Sequence, residues 1–161
     1  MRHRARRGGG AAALLFALLL PSPAPANDDA PTAGPARCRF AVPEGWSAAG
    51  VRWSGHCRAG VAQGRGVLRQ YDRSRVARSY FGVLRSGQPA LGVVELPDGF
   101  IAGRFEHGKA VNDGDRNTAI HAFDEAAAAA RQLAEGYRRA GNAPSARFYE
   151  NKAKQLADQL D

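Results

Sequence analysis

His56 and Cys57 stand side by side in the stretch WSGHCRAG, Trp53 to Gly60. A thiol beside an imidazole is the starting material of a thiolate nucleophile, because the imidazole can take the thiol proton. Adjacent residues of a strand point to opposite faces, however, which leaves His56 poorly placed to activate Cys57. The other reading is a disulfide. Cys38 and Cys57 are the only cysteines of the chain, and an even count in a small exported domain reads as a bridge. Closing a loop of about 19 residues would stabilise by roughly 3 kcal/mol through the entropy of the unfolded chain. The disulfide is the preferred reading.

Asp113-Gly114-Asp115-Arg116-Asn117 has the alternating oxygen donors of half a calcium loop, with Ile120 at the apolar slot and Asp124 at the closing ligand position. Thr118 stands where that loop needs glycine, and no helical pattern precedes it. The favoured alternative is a turn into a helix, capped by Asn117 or Asp115. His56, His107 and His121 have no metal-ligand spacing between them. No nucleophile elbow, phosphate-binding loop or framed carboxylate pair is present. No cofactor and no metal are expected, and the prior for an enzyme falls.

Arginine is the remaining chemistry. The 161 residues carry a formal charge of +8, and the basic excess lies before residue 111. Arg65, Arg69, Arg73, Arg75, Arg78 and Arg85 form a stripe that reads either as a solvated sheet face or as the meeting surface for an anionic polymer or membrane headgroup.

The elements that position these residues begin with an address label. Arg2, Arg4, Arg6 and Arg7 precede an apolar run from Ala11 to Leu20, and Ala24-Pro25-Ala26 fits a small-x-small cleavage site. This reads as a secretory signal peptide over residues 1–26, since the run is shorter than the about 20 residues that a membrane span takes. The mature chain is expected to start at Asn27 in the periplasm or outside the cell, where nucleic acid is not an expected partner. Residues 27–36 read as a linker, 37–112 as a β domain and 113–161 as a helical hairpin.

WSGHCRAG (53–60) repeats as YFGVLRSG (80–87) and IAGRFEHG (101–108). Position one is apolar, position three is Gly55, Gly82 or Gly103, position five is Cys57, Leu84 or Phe105, and position eight is Gly60, Gly87 or Gly108. The alternation has strand period, and the last glycine suits a turn with positive φ. Each copy is thus a strand running into a tight turn, with return strands at 64–71 and 90–97. Glycines two residues after a bulky residue predict aromatic rings from neighbouring strands lying over the gaps. Cys57 takes the inward slot that Leu84 and Phe105 fill elsewhere.

These residues resemble MORN repeats, a family of β-hairpins with the pattern Tyr-x-Gly-x-aromatic-x-x-Gly-x-x-x-Gly-x-Gly-Val. The fullest copy is Trp53, Gly55, Cys57, Gly60, Gly64, Gly66 and Val67. The second keeps Tyr80, Gly82 and Gly87, with Gly92 one residue late. The third keeps Gly103, Phe105 and Gly108. The resemblance implies a scaffold or interaction surface, sometimes at membranes, and rarely catalysis.

From about Thr118 the period becomes helical. Ile120, Phe123, Ala127, Ala130, Ala134 and Tyr137 share one face. Gly141 ends that helix, Pro144 suits the first turn of the next, and Ala146, Tyr149, Ala153, Leu156 and Leu160 repeat the stripe. Leu133, Ala134, Tyr137, Ala146 and Ala153 also resemble one tetratricopeptide repeat, though a lone helical pair is preferred. The fold expected is α+β, a meandering antiparallel sheet of MORN-like hairpins followed by a C-terminal antiparallel helical hairpin. The Ile120–Tyr137 stripe is expected on the sheet face lined by Trp53, Tyr80, Leu84, Ile101 and Phe105, within the chain or in a homodimer through the helices. The function expected is an exported non-catalytic module for a protein partner in the cell envelope. The alternative is the anionic binder, and third is an envelope hydrolase.

Overall fold

The six strands between Val51 and Ala110 follow one another in space in the order they follow in sequence, each antiparallel to the last. The computed structural model describes residues 30–160. The signal sequence and the start at Asn27 lie outside the described residues. The six strands are β3 (Val51–Arg58), β4 (Val61–Asp72), β5 (Arg75–Arg85), β6 (Gln88–Leu96), β7 (Gly99–Glu106) and β8 (Lys109–Ala110). Two helices follow, α1 (Arg116–Arg139) and α2 (Ala143–Ala157). The class is α+β, an antiparallel sheet followed by a helical hairpin.

The last glycine of each repeat does the same job three times. Ala59-Gly60, Ser86-Gly87 and His107-Gly108 close the β3–β4, β5–β6 and β7–β8 hairpins with positive φ at both residues. That is the geometry of the two-residue turn whose twist matches that of the strands. The inner glycines form a row across five strands, with Gly55 opposite Gly66, Gly66 opposite Gly82, Gly82 opposite Gly92 and Gly92 opposite Gly103. The Trp53 ring fills the space where side chains of Gly55 and Gly66 would sit, and the Tyr80 hydroxyl lies 2.9 Å from the Cβ position of both Gly82 and Gly92. At Gly55 and Gly82 the covering ring comes from the residue two before on the same strand, and at Gly66 and Gly92 the same rings reach across from the neighbouring strand, as the repeat suggests.

The sheet is buried on both faces. Leu68, Tyr80, Leu84, Val94 and Phe105 point to one side, into a core with Phe40, Val42, Trp46 and Val51. Val67, Phe81 and Val93 point to the other, against Ala122, Ala126, Ala127, Ala129, Ala130 and Ala134 of α1 and Tyr149, Ala153 and Leu156 of α2. The helices therefore dock on the face opposite to the one expected. The Tyr80–Leu84–Phe105 face is already covered by residues 30–50. The alanines of α1 allow the close approach that the flat Val67–Phe81–Val93 row permits. The helical stripe is buried within the same chain, and Ile101 is left exposed.

Residues 30–36 are not a free linker. Ala30 and Ala33 are buried, and β1 (Thr32–Ala33) pairs with β2 (Phe40–Ala41). Downstream, the segment crosses the three tight turns. The amide of Arg39 donates to the carbonyl of Gly60, that of Ala41 to Gly87 and that of Glu44 to Gly108. The repeated glycines thus present a row of carbonyls on which the N-terminal segment lies as a strap.

The helix ends follow their caps. Asp115 caps α1, its carboxylate accepting from the amide of Asn117 and the hydroxyl of Thr118. At the other end Asn142 N–H donates to Tyr137 and Gly141 N–H to Arg138, with Gly141 at φ 74°. This is a left-handed glycine stop: the chain reverses and Asn142 caps α2, with Pro144 in its first turn.

Candidate functional site

Cys38 and Cys57 are bonded, with Cα atoms 5.4 Å apart. The bridge ties the strap to β3 and leaves no free cysteine among the described residues. With the bond formed, the thiolate chemistry that His56 would have served has no sulfur to act on. Cys38 is buried but Cys57 is exposed, contrary to the inward slot expected for it. A bulge between Gly55 and His56 resets the register, and β3 is an edge strand, so Cys38 alone covers that position. The disulfide is compatible with an oxidising compartment.

The six arginines do not form one surface. Arg65 makes a two-pronged ion pair to Glu125 of α1, at 2.7 and 3.0 Å, and this hydrogen bond raises its pKa against the opposing effect of burial. Arg78 points to the strap side and donates to the carbonyl of Gly45 at 2.7 Å. Arg73 and Arg75 sit exposed at the β4–β5 hairpin tip, and Arg85 lies at the far end of β5.

Arg69 has turned inward among phenols. Its Nη1 donates to the hydroxyls of Tyr137 (2.8 Å) and Tyr149 (3.3 Å), and its Nη2 to Ser54 (2.6 Å). The guanidinium carbon lies 5.8 Å from the ring centre of Tyr71, 6.0 Å from Tyr137 and 5.8 Å from Tyr149. Tyr137 and Tyr149 stack nearly parallel at 5.6 Å. Burial works against the Arg69 charge, but the bond to Tyr137 and the nearby phenols outweigh it and raise its pKa. Burial likewise pushes the Tyr149 phenol up, over the opposing pull of Arg69. The buried Nε of Arg69 has no partner. The cluster joins β3, β4, α1 and α2, so its role is to hold the helical hairpin on the sheet.

A groove with no signature in the sequence lies at the hairpin-tip end. It has a volume of about 340 Å³ and lies between the ends of β5 and β6 and the start of α2. Val76 (45 % exposed), Leu96 (37 %) and Phe148 (58 %) line it, and they are three of the four exposed large hydrophobic residues among the described residues. Glu95 and Lys152 are ion-paired within it. The Arg75–Arg78 segment pairs with β4 on one side. The first β5–β6 pair is Ser79 with Glu95, so this stretch of β5 has a free edge facing the groove among the described residues.

Asp113 takes part in the turn that leads into α1. Its carboxylate accepts from Arg104 at 2.9 Å and from the amide of Asp115 at 3.0 Å, and Asp115 is the helix cap. No described helix is long and apolar enough to cross a membrane. Comparison with protein-family models, with curated proteins and with solved structures returns no match.

Proposed function

We propose that the chain is an exported, non-catalytic interaction module that binds an extended, acidic and apolar segment of a partner protein in the groove between β5, β6 and α2. The observation that carries the reading is the gathering of Val76, Leu96 and Phe148 at one site beside a free strand edge. Isolated exposed hydrophobics are ordinary, but a contiguous set at a concave site is a feature of binding surfaces. A free edge offers backbone hydrogen bonds to an added strand, while adjacent apolar pockets select its side chains. Arg73 and Arg75, exposed at the adjoining β4–β5 hairpin tip, add positive charge near the site and favour acidic residues in the occupant. The N-terminal signal pattern and the disulfide support export, and the resemblance to MORN hairpins points to the same class of interaction function.

The test is a random-peptide display selection on the purified protein, followed by binding measurements on Phe148→Glu and Val76→Glu. The expected result is enrichment of peptides that alternate apolar and acidic residues, whose affinity falls at least tenfold on Phe148→Glu while circular dichroism is unchanged. Enriched peptides that bind Phe148→Glu as tightly as the parent, or the absence of enrichment, overturn the reading.

A further inference from the structure

At the opposite end of the sheet, roughly 30 Å along β5 from the hairpin tip, Arg85 and Arg104 flank a second concavity. Its volume is about 230 Å³, and Arg85, Ala90, Leu91, Arg104, Thr118 and His121 line it. The register explains how they meet. Leu91 of β6 lies opposite Val83 of β5 and Arg104 of β7, so one arginine comes from each strand flanking β6. Thr118 and His121, one helical turn apart on α1, close the top.

We propose that this pocket binds a phosphate monoester, with the phosphoryl group between Arg85, Arg104 and His121 and a short apolar body on Leu91 and Ala90. Arg104 is oriented by Asp113, which engages its Nη2, and the rest of its donor fork stays available. Among the described residues no carboxylate pairs with Arg85. Glu125, one turn beyond His121, is taken by Arg65, and Asp115 is taken by the cap it forms. The proton of the Thr118 hydroxyl is used on Asp115, so Thr118 contributes wall and not a donor. Arg85, Arg104 and His121 thus line a pocket whose described lining holds no carboxylate, with Asp113 on the Arg104 guanidinium, near the positive end of α1. A carboxylate ligand has two oxygens and is satisfied by one guanidinium fork. A phosphoryl group has three and can be held by both arginines and the imidazole together. The flat apolar floor adds a preference for an ester over the free ion.

The site is independent of the groove proposed above, and Phe148→Glu should leave it untouched. Titration calorimetry on the full chain tests it with butyl phosphate, inorganic phosphate and butyrate, and vesicle sedimentation tests phosphatidate in phosphatidylcholine. The expected order is butyl phosphate tighter than inorganic phosphate, and both tighter than butyrate. Arg85→Gln should weaken butyl phosphate at least tenfold, and Arg75→Gln at the other end of the strand should not. Binding to phosphatidate vesicles that is lost in Arg85→Gln, with butyl phosphate inert, assigns the same phosphoryl site to a lipid headgroup. Binding that Arg85→Gln leaves unchanged, binding that Arg75→Gln weakens equally, or no phosphate binding at all overturns the proposal.

Discussion

Arg69 on β4 donates to the phenol oxygen of Tyr137 on α1 at 2.8 Å, a part-buried polar link between the sheet and the helical hairpin. Hydrogen bonds to charged groups contribute about 1.5–3 kcal/mol. Arg69→Ala is expected to lower stability by about 2 kcal/mol and Tyr137→Phe by about 1 kcal/mol, measured by denaturant unfolding. Removing both should cost less than the sum, because each single change already breaks the shared bond. Arg69→Met should be milder than Arg69→Ala, since it keeps packing against the rings and removes the unpartnered Nε. Strict additivity would show that the contact carries no energy.

The disulfide anchors the strap, so its loss should be felt first at the three turns. In the Cys38→Ser, Cys57→Ser variant stability is expected to fall by about 3 kcal/mol. Amide exchange at Arg39, Ala41 and Glu44 should accelerate before exchange at Phe81 or Val93 does. Thiol titration of the denatured, unreduced protein should find no free thiol. Two free thiols would return Cys57 to the list of reactive groups.

Two glycine substitutions should move stability in opposite directions. A Cβ on Gly55 would lie 2.3 Å from the Trp53 ring, so Gly55→Ala must displace the indole from its place over the glycine row. A loss of about 2 kcal/mol or more is expected from such overpacking. Gly136 lies inside α1 with nothing within 4 Å of its Cβ position. There Gly136→Ala should stabilise by about 0.5–1 kcal/mol. Thermal melts of the two variants check both signs.

The difference between these glycines also marks how far the sequence could be read. The turn glycines Gly60, Gly87 and Gly108 and the helix stop at Gly141 were legible, because positive φ is a local demand with one usual residue. The stripes of α1 and α2 were legible for the same reason, since periodicity is local. Which face of the sheet the helices take was not. Residues on both faces are apolar, and the choice depends on the strap, whose signal is only the short alternation Cys38, Phe40, Val42. The arginine stripe looked continuous because it was read along the sequence. Strand alternation and the bulge at Gln70/Tyr71 distribute it over two faces and two ends. Neither the groove at Phe148 nor the Arg85–Arg104 pocket has a linear signature, because each is assembled from elements distant in the chain.

Alkaline pH should unfold the protein through Tyr80. Burial pushes its phenol well above the ordinary value near 10. The hydroxyl donates to the carbonyls of Val83 and Leu91, both at 3.0 Å. A raised folded-state pKa means that the unfolded chain loses the proton first. The contribution is complete below about pH 10 and is lost as pH rises toward the folded-state value. Stability is therefore expected to be flat through neutral pH and to fall above about pH 10. Tyr80→Phe should be less stable by about 1 kcal/mol at pH 7 and show a shallower alkaline decline. An unchanged decline in Tyr80→Phe would move the cause to Tyr149 or to another group.

The two-sided sheet changes what truncation should do. Residues 113–161 alone keep a helical pair whose alanine face has lost Val67, Phe81 and Val93, and short helices are marginal in water without tertiary packing. That fragment should be largely unstructured by circular dichroism. Residues 27–112 keep the strap, the disulfide and the whole core around Tyr80, Leu84 and Phe105. They also keep the glycine row with its covering rings. Their helix-facing row would be exposed, with Phe81 and Val93 at its centre, and such a contiguous apolar surface favours association. The expected outcome is a folded but self-associating sheet, with β-type dichroism and a sedimentation coefficient that rises with concentration. Adding 113–161 should return it to the monomer and restore helical dichroism. An unfolded 27–112 fragment would show that the strap core cannot stand without the helices. A monomeric fragment melting at the temperature of the whole chain would show that the helices contribute nothing to the sheet.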